Sequence, residues 1–158
     1  MRCSSRKYSR YRSLVIDKLT IFEERVERQV RQLIEEHEFV EFLVGRDGDF
    51  DQIVSSAVIR AKKNIRDDNS ALIWVLPYPT SELQNNDEEF HKYYDEIEIC
   101  EESSLAHPKS AFQIRNRSMV DRSDLVIFCV EHESGGAYQT FKYAQKQEKS
   151  IINLAGND

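Results

Sequence analysis

Four short, predominantly apolar runs constrain the fold more than any other feature of the sequence. Each run has six residues or fewer and contains β-branched or aromatic members, which is too short for a stable helix and typical of buried strands. The runs are Phe39–Val44, Ala71–Leu76, Leu125–Val130 and Ile151–Leu154. Strands that are apolar along their whole length, without alternation, predict a parallel sheet that is covered on both faces.

Segments with helical spacing separate these runs. We predict helices over 21–37, 50–65, 111–122 and 135–146, with Trp74, Met119 and Val120 in the core. Strands that alternate with helices and are joined by right-handed crossovers indicate a Rossmann-like, doubly wound α/β fold, with a mainly parallel sheet flanked by helices. A length of 158 residues fits one domain, residues 1–158.

Two segments depart from this regular pattern. A strand should precede the first helix, and the capping box of Thr20 and Glu23 predicts that this helix begins there. Ser13–Ile16 is the only candidate for that strand, and residues 1–12 are expected to be poorly ordered. Residues 80–109 have no regular pattern, and we interpret Tyr93–Glu96 within them as a lid over a pocket or a subunit contact.

Charge and cysteine content limit the classes of partner. The net charge of −6 makes the chain a poor partner for nucleic acid, because nucleic-acid affinity comes largely from phosphate neutralisation. The cations Arg2, Arg6, Lys7, Arg10 and Arg12 are interpreted as a solvated terminus. No apolar stretch approaches the ~18 residues of a membrane span, so no membrane partner is expected. Three cysteines without a CxxC pair, one of them (Cys129) in an apolar run, fit a reducing cytoplasm.

Two of the strands end in glycine-bearing turns that lead directly into helices. The first turn is residues 45–51 (GRDGDFD), and the second is residues 131–137 (EHESGGA). Glycine lets a backbone approach a ligand closely, and a helix N-terminus offers free N–H groups and the positive end of its dipole. Both turns are therefore candidate phosphate sites, and Ser134 with Gly135 and Gly136 makes the second the better one. The alternative is that the glycines only permit a tight turn.

Carboxylates complicate the first turn. Asp47, Asp49 and Asp51 would repel a phosphate, but they can accept hydrogen bonds from ribose hydroxyls. Asp51 is interpreted as a first-turn residue that stabilises its own helix. The alternating aspartates resemble part of a calcium loop, yet no EF-hand loop continues from them, so no metal is expected.

The residues around the third strand are similar to those of the SLOG superfamily, and in particular to a bacterial branch of it. The resemblance extends from about residue 21 to 154, and its most specific part is RN-x-x-MVD-x-SD-x-VI. It is carried by residues 45–51, Leu76–Tyr78, Arg115–Ile127, Ser134–Ala137, Lys142–Ala144 and Ile151–Leu154.

The resemblance implies a Rossmann-like domain that binds a nucleotide or a nucleotide derivative, and a sensor is one form of this function among the relatives. No further cofactor is expected. A homo-oligomer is a further expectation. Arg115 would clamp a phosphate in bidentate fashion, Asn116 would bond ribose or base, and Tyr78 would stack on the base. The expected ligand-binding residues are Gly45, Gly48, Tyr78, Arg115, Asn116, Ser134, Gly135 and Gly136.

Two departures from the family pattern keep other functions open. Residues 1–8 (MRCSSRKY) lack the Gly-His-Arg that ends the first strand of many relatives, which raises an interaction protein with a vestigial pocket as an alternative. The phosphoribohydrolase-like branch carries a catalytic glutamate after its glycine turn, and this chain has none there. A nucleotide N-glycosidase would then have to use Glu131 or Glu133, and whether the chain is an enzyme stays open.

Overall fold

The chain alternates helices with parallel strands. The structure is a computed structural model that describes the backbone of residues 12–155 and the side chains of residues 21–155. The helices are α1 (Arg12–Glu36), α2 (Asp49–Asn64), α3 (Ser81–Asn85), α4 (Asp87–Tyr93), α5 (Glu101–Ser104), α6 (Pro108–Arg122) and α7 (Gly136–Lys146). The strands are β1 (Val40–Val44), β2 (Ser70–Leu76), β3 (Glu96–Ile99), β4 (Leu125–Phe128) and β5 (Ser150–Asn153).

All the strand pairs in the described residues are parallel. β2 lies between β1 and β3 in a three-stranded sheet, and β4 pairs with β5 in a two-stranded sheet. The four predicted strands are present, and the Rossmann-like α/β class is confirmed. Within residues 12–155, β1 and β4 do not pair with each other, so the strands form two sheets.

Helices cover β2 on both of its faces, which is why every residue of this strand is buried. On one face Leu72, Trp74 and Leu76 belong to a core with α1 and α2. On the other face Ala71, Ile73 and Val75 pack against Met119 of α6. The predicted core positions of Trp74 and Val120 are confirmed, and Cys129 is buried as well.

The predicted start of the chain is wrong in two respects. α1 begins at Arg12 and runs through Thr20, so Thr20 does not start the helix. Ser13–Ile16 is helical, because Leu14, Val15 and Leu19 continue the three-to-four spacing of the apolar residues that follow them. The expectation for residues 1–11, including most of the cation-rich stretch, lies outside the described residues.

Residues 80–109 are more regular than the sequence predicts. They contain α3, α4, β3 and α5, each only four to seven residues long. Tyr94 is 1% exposed and its ring packs 5.2 Å from that of Trp74. Asp95 accepts hydrogen bonds from the backbone N–H of Leu72 at 2.7 Å and from Lys62 at 2.6 Å. Interpreting this segment as a lid or subunit contact is therefore wrong for Tyr94, which is part of the core.

None of the helices in the described part of the chain combines the length and the apolar character that crossing a membrane requires.

Candidate functional site

The first glycine turn follows β1 and is held by side chains of the protein itself. Gly45 is buried, and a Cβ atom added to it would lie 3.2 Å from Nη1 of Arg115, 3.2 Å from Asp47 Oδ2 and 3.3 Å from Asp51 Oδ2. The glycine is thus needed for the close approach of these three polar atoms. Gly48 precedes α2 with extended backbone angles, φ −157° and ψ 172°, that any residue can adopt.

The carboxylates of this turn are engaged locally. Asp51 lies in the first turn of α2, as predicted, and its Oδ2 accepts a hydrogen bond from the backbone N–H of Asp47 at 3.3 Å. Burial raises the pKa of Asp51, the nearby charge of Asp47 raises it further, and the Arg115 guanidinium lowers it in part. The turn therefore contains a carboxyl group that is harder to ionise than an exposed aspartate.

Arg115 of α6 is buried, with 4% of its surface exposed, and its guanidinium is bound on three sides. Nη1 donates to the backbone carbonyl of Val75 at 2.9 Å, and Nη2 donates to Asp47 Oδ2 at 2.6 Å. Nε donates to Asn116 Oδ1 at 2.9 Å. These three bonds use three of the five N–H donors of the guanidinium, so a phosphate would have to share Arg115 with the protein acceptors that already hold it.

The second glycine turn is exposed. Ser134, Gly135 and Gly136 are all accessible, and Gly135 has φ 91° and ψ 178°. Apart from its two chain neighbours, no described residue has an atom within 4 Å of a Cβ built on Gly135. Backbone angles of this kind are essentially restricted to glycine. Gly135 is the N-cap of α7 and provides no side-chain cap. The N–H groups of Gly136, Ala137 and Tyr138 have no acceptor among residues 12–155.

Side chains of α6 connect the two turns at one edge of the strands. The carbonyl of Gly136 accepts hydrogen bonds from Gln113 Nε2 at 3.2 Å and from Thr140 Oγ1 at 3.0 Å. Asn116 Nδ2 in turn donates to Thr140 Oγ1 at 3.4 Å. The structure thus connects Arg115 and Asn116 of α6 with Gly45 on one side and, through Thr140, with Gly136 on the other.

Gln113 and Thr140 were not among the predicted site residues. Gln113 lies three positions before Asn116 on α6, and this spacing places the two side chains on one helix face. That signal could have identified Gln113. The contact of Thr140 with α6 depends on how two helices pack, which the sequence does not show locally.

Aromatic rings lie beside Arg115. Tyr78, which follows β2, is half-buried, and its ring lies edge-on to that of Phe112 at 5.9 Å. The Arg115 guanidinium lies 5.4 Å from the Phe112 ring centroid, and Phe112 is 37% exposed. Arg46 does not join this group, because its side chain lies over the Phe90 ring at 4.8 Å and donates to the Tyr94 hydroxyl.

Two surface cavities of about 570 and 560 Å³ lie elsewhere. The first is lined by residues of α2, α4 and their connections, and the second by the charged face of α1. Neither includes a residue of the two glycine turns. Among the side chains of residues 21–155, no group of three or more His, Cys, Asp or Glu residues is placed to hold a metal ion.

Comparisons with known proteins do not assign the chain to a family. No protein-family model matches it, and no curated protein matches it. One similar solved structure is that of (E)-4-hydroxy-3-methyl-but-2-enyl diphosphate reductase, the terminal enzyme of the non-mevalonate pathway. The two are 12% identical with a TM-score of 0.24, over 84% of this chain and 52% of that one. The chain thus spans about half the length of that structure, and a likeness at this TM-score carries no argument about function.

Proposed function

We propose that the chain binds a nucleotide or a nucleotide-derived ligand at the edge where β1, β2 and β4 end, with the phosphate at the N-terminus of α7. The supporting observation is the second turn. Three consecutive backbone N–H groups there have no acceptor among residues 12–155, and they follow a glycine that has open space around it. Free N–H groups and the positive end of a helix dipole favour an anion at this position.

The first turn is suited to the neutral part of the ligand. The Asp47 side chain is 43% exposed although Oδ2 is bound to Arg115, so Oδ1 can accept hydrogen bonds from sugar hydroxyls. The exposed part of Phe112 and the half-buried Tyr78 offer ring surface to a base. Phosphate, sugar and base would then lie along one side of α6.

Charge limits how anionic the ligand can be. Asp47, Asp49, Glu131 and Glu133 are exposed in the two turns, and the Arg115 guanidinium is already paired with Asp47. Neutral amides must therefore provide most of the attraction for phosphate. We expect a monophosphate such as AMP to bind more tightly than ATP, because each added phosphate faces more of these carboxylates.

Membership of the SLOG superfamily, a role as a sensor, a cytoplasmic location and a homo-oligomeric state are parts of the same proposal. The membership is supported by the residue pattern from Arg115 to Gly136, which coincides with the side chains that connect the two turns. Binding without turnover is the main proposal, since the helical turn after Gly136 has no carboxylate.

A nucleotide N-glycosidase is the second candidate, and one observation favours it. Asp51 is a partly buried carboxyl group with a raised pKa beside Gly45, as expected of an acid–base group. Glu131 and Glu133, the carboxylates that the sequence suggested, are fully on the surface. Incubation with nucleoside monophosphates, followed by chromatography, should then release free base in the wild type and not in Asp51→Asn. Equal amounts from both proteins would eliminate this candidate.

The binding proposal is tested by two substitutions at one position. Gly136→Pro removes one of the free N–H groups but no helical hydrogen bond, because proline is tolerated at the first position of a helix. Gly136→Ala adds the same Cβ, 3.1 Å from the flexible Gln113 amide, and keeps the N–H. Titration with AMP by calorimetry should show binding about tenfold to a hundredfold weaker for the proline variant than for the alanine variant.

Two outcomes would contradict the proposal. Equal AMP affinities in the proline and alanine variants would show that the α7 N-terminus does not hold the phosphate. No heat or chemical-shift change with millimolar AMP or inorganic phosphate in the wild type would remove nucleotide binding altogether.

A further inference from the structure

A continuous chain of hydrogen bonds runs from the second glycine turn to the first through Arg115. We call it the α6 relay. On the side of the second turn, Arg115 Nε donates to Asn116 Oδ1 at 2.9 Å, Asn116 Nδ2 donates to Thr140 Oγ1 at 3.4 Å, and Thr140 Oγ1 donates to Gly136 O at 3.0 Å. On the side of the first turn, Arg115 Nη2 donates to Asp47 Oδ2 at 2.6 Å, and the Asp47 backbone N–H donates to Asp51 Oδ2 at 3.3 Å.

Arg115 is the origin of the relay in both directions. Its guanidinium donates towards Asp47 on one side and towards Asn116 on the other, and Asn116 and Thr140 then donate onwards. A charged donor at the head of a hydrogen-bond chain polarises the bonds that follow it, and burial strengthens this effect. Nη1 fixes the same guanidinium to the carbonyl of Val75 in β2. The relay is therefore anchored to β2, in which every residue is buried.

We propose that Arg115 is a positioning residue that couples the two turns, so that a change at the second turn alters the opening of the first. Its role in ligand recognition, which rests on the proposed function, is to hold the phosphate site and the sugar site in a fixed relation. Because these contacts are contiguous and buried at their centre, they meet the physical requirement for energetic coupling between neighbouring sites.

The coupling can be measured without a ligand. Thr140→Val removes the hydroxyl that joins α7 to Asn116 and leaves the shape of the side chain nearly unchanged. The amide N–H of Asp47, at the far end of the relay, should then exchange with deuterated solvent about twofold to thirtyfold faster than in the wild type. The Trp74 amide in β2 serves as the reference for global unfolding.

Two controls separate the relay from general loosening of the α6–α7 contact. Thr140→Ser keeps the hydroxyl and should restore slow exchange at Asp47. Tyr143→Phe removes the 2.7 Å hydrogen bond from Tyr143 to Asp121, which also joins α7 to α6 but lies outside the relay. The proposal is overturned if Thr140→Val leaves the exchange rate of the Asp47 amide unchanged. It is also overturned if Tyr143→Phe accelerates that exchange as much as Thr140→Val does.

Inorganic phosphate extends the test to the occupied site. In the wild type, a titration that shifts the Gly136 amide resonance should also slow exchange at Asp47, and in Thr140→Val it should not. Phosphate that shifts Gly136 and leaves Asp47 unaffected in the wild type would overturn the coupling while supporting the proposed binding site. If phosphate shifts neither, the proposed function fails, and the comparison without ligand still decides whether the relay exists.

Discussion

The two glycine turns look alike in the sequence and differ in what surrounds them. Each follows an apolar strand and leads into a helix, yet Gly45 is enclosed by polar atoms of Arg115, Asp47 and Asp51, whereas Gly135 has open space around it. The first glycine makes room for the protein's own side chains. The second permits a backbone conformation, φ 91°, that leaves helix N–H groups accessible. A strand–glycine–helix pattern therefore predicts a close approach without saying whether protein or ligand makes it.

The difference follows from where the partner residues lie. Arg115 reaches Asp47 across 68 positions of sequence and satisfies the first turn, while no side chain of the described residues caps the N–H groups at the N-terminus of α7. Buried cations require a partner, so the carboxylates at the first turn are structural as well as available to a ligand. Loss of a side chain should accordingly reduce stability in the first turn, whereas substitutions in the second turn should reduce ligand binding.

Replacing Arg115 should give the largest loss of stability. Arg115→Met leaves the carbonyl of Val75 without a donor and Asp47 without its cation, and we expect the free energy of unfolding to fall by about 2–4 kcal/mol. The partial exposure of Asp47 keeps the value below that of a fully buried pair. Urea denaturation measures the free energy of unfolding. Ser134→Ala in the second turn is the control, and its free energy of unfolding should lie within about 0.5 kcal/mol of the wild-type value. Equal losses in both variants would remove the contrast between the turns.

Adding a methyl group to the first turn should be the next most costly change. In Gly45→Ala the new Cβ is 3.2–3.3 Å from three polar atoms, two of which belong to the Arg115–Asp47 ion pair and cannot move freely. We expect a loss of about 1–3 kcal/mol, typical of overpacking. Gly136→Ala, whose Cβ meets only the Gln113 amide, should lose less than about 1 kcal/mol in the same urea experiment. A larger loss at Gly136 would mean that the second turn is the more tightly packed.

Gly135→Ala tests strain without crowding. Nothing lies within 4 Å of the added Cβ, so any loss comes from the positive φ angle, and we expect about 1–2 kcal/mol. Relief of that strain would turn the first peptide of α7, so AMP affinity should fall together with stability. Thermal unfolding with and without AMP measures both effects. Unchanged stability would indicate that this turn does not need the left-handed conformation.

The sequence predicted the parts of the fold that depend on local pattern. The apolar runs correctly located β1, β2, β4 and β5, and Gly135-Gly136 correctly located the start of α7. The short elements of residues 80–107 were missed because each is held by tertiary contacts, such as the ring packing of Tyr94 on Trp74. Their own propensity is too weak to show in four to seven residues.

The candidate site was predicted in part for the same reason. Both glycine turns and Asn116 lie where helical and strand patterns place them. The pairing of Arg115 with Asp47 depends on two distant segments meeting, and no local spacing reports such a contact. For this reason the sequence indicated a phosphate clamp at Arg115 but not that three of its five N–H donors hold protein acceptors.

The smallest expected effect concerns pH. Asp51 makes the stability contributed by the first turn depend on pH. Its pKa in the folded state is raised above the ordinary value of 3.8 by burial and by the charge of Asp47. The folded protein thus holds a proton that the unfolded chain releases, so stability falls as pH rises from about 4 through the folded-state pKa. Above that window the ionised group disfavours folding.

Asp51→Asn keeps an oxygen that can accept the hydrogen bond from the Asp47 amide and removes the charge. The variant should therefore melt slightly higher than wild type at pH 7 and lose part of the decline in melting temperature between pH 4 and 7. Glu133→Gln in the exposed second turn is the matched control, since that carboxylate is on the surface and should not alter the profile. A variant that melts lower than wild type at pH 7 would show that the helix dipole of α2 outweighs burial at Asp51. In that case the Asp51 carboxylate would stabilise the N-terminus of α2 in its ionised form. Arg115 alone would then account for the difference between the first turn, which protein side chains fill, and the open second turn.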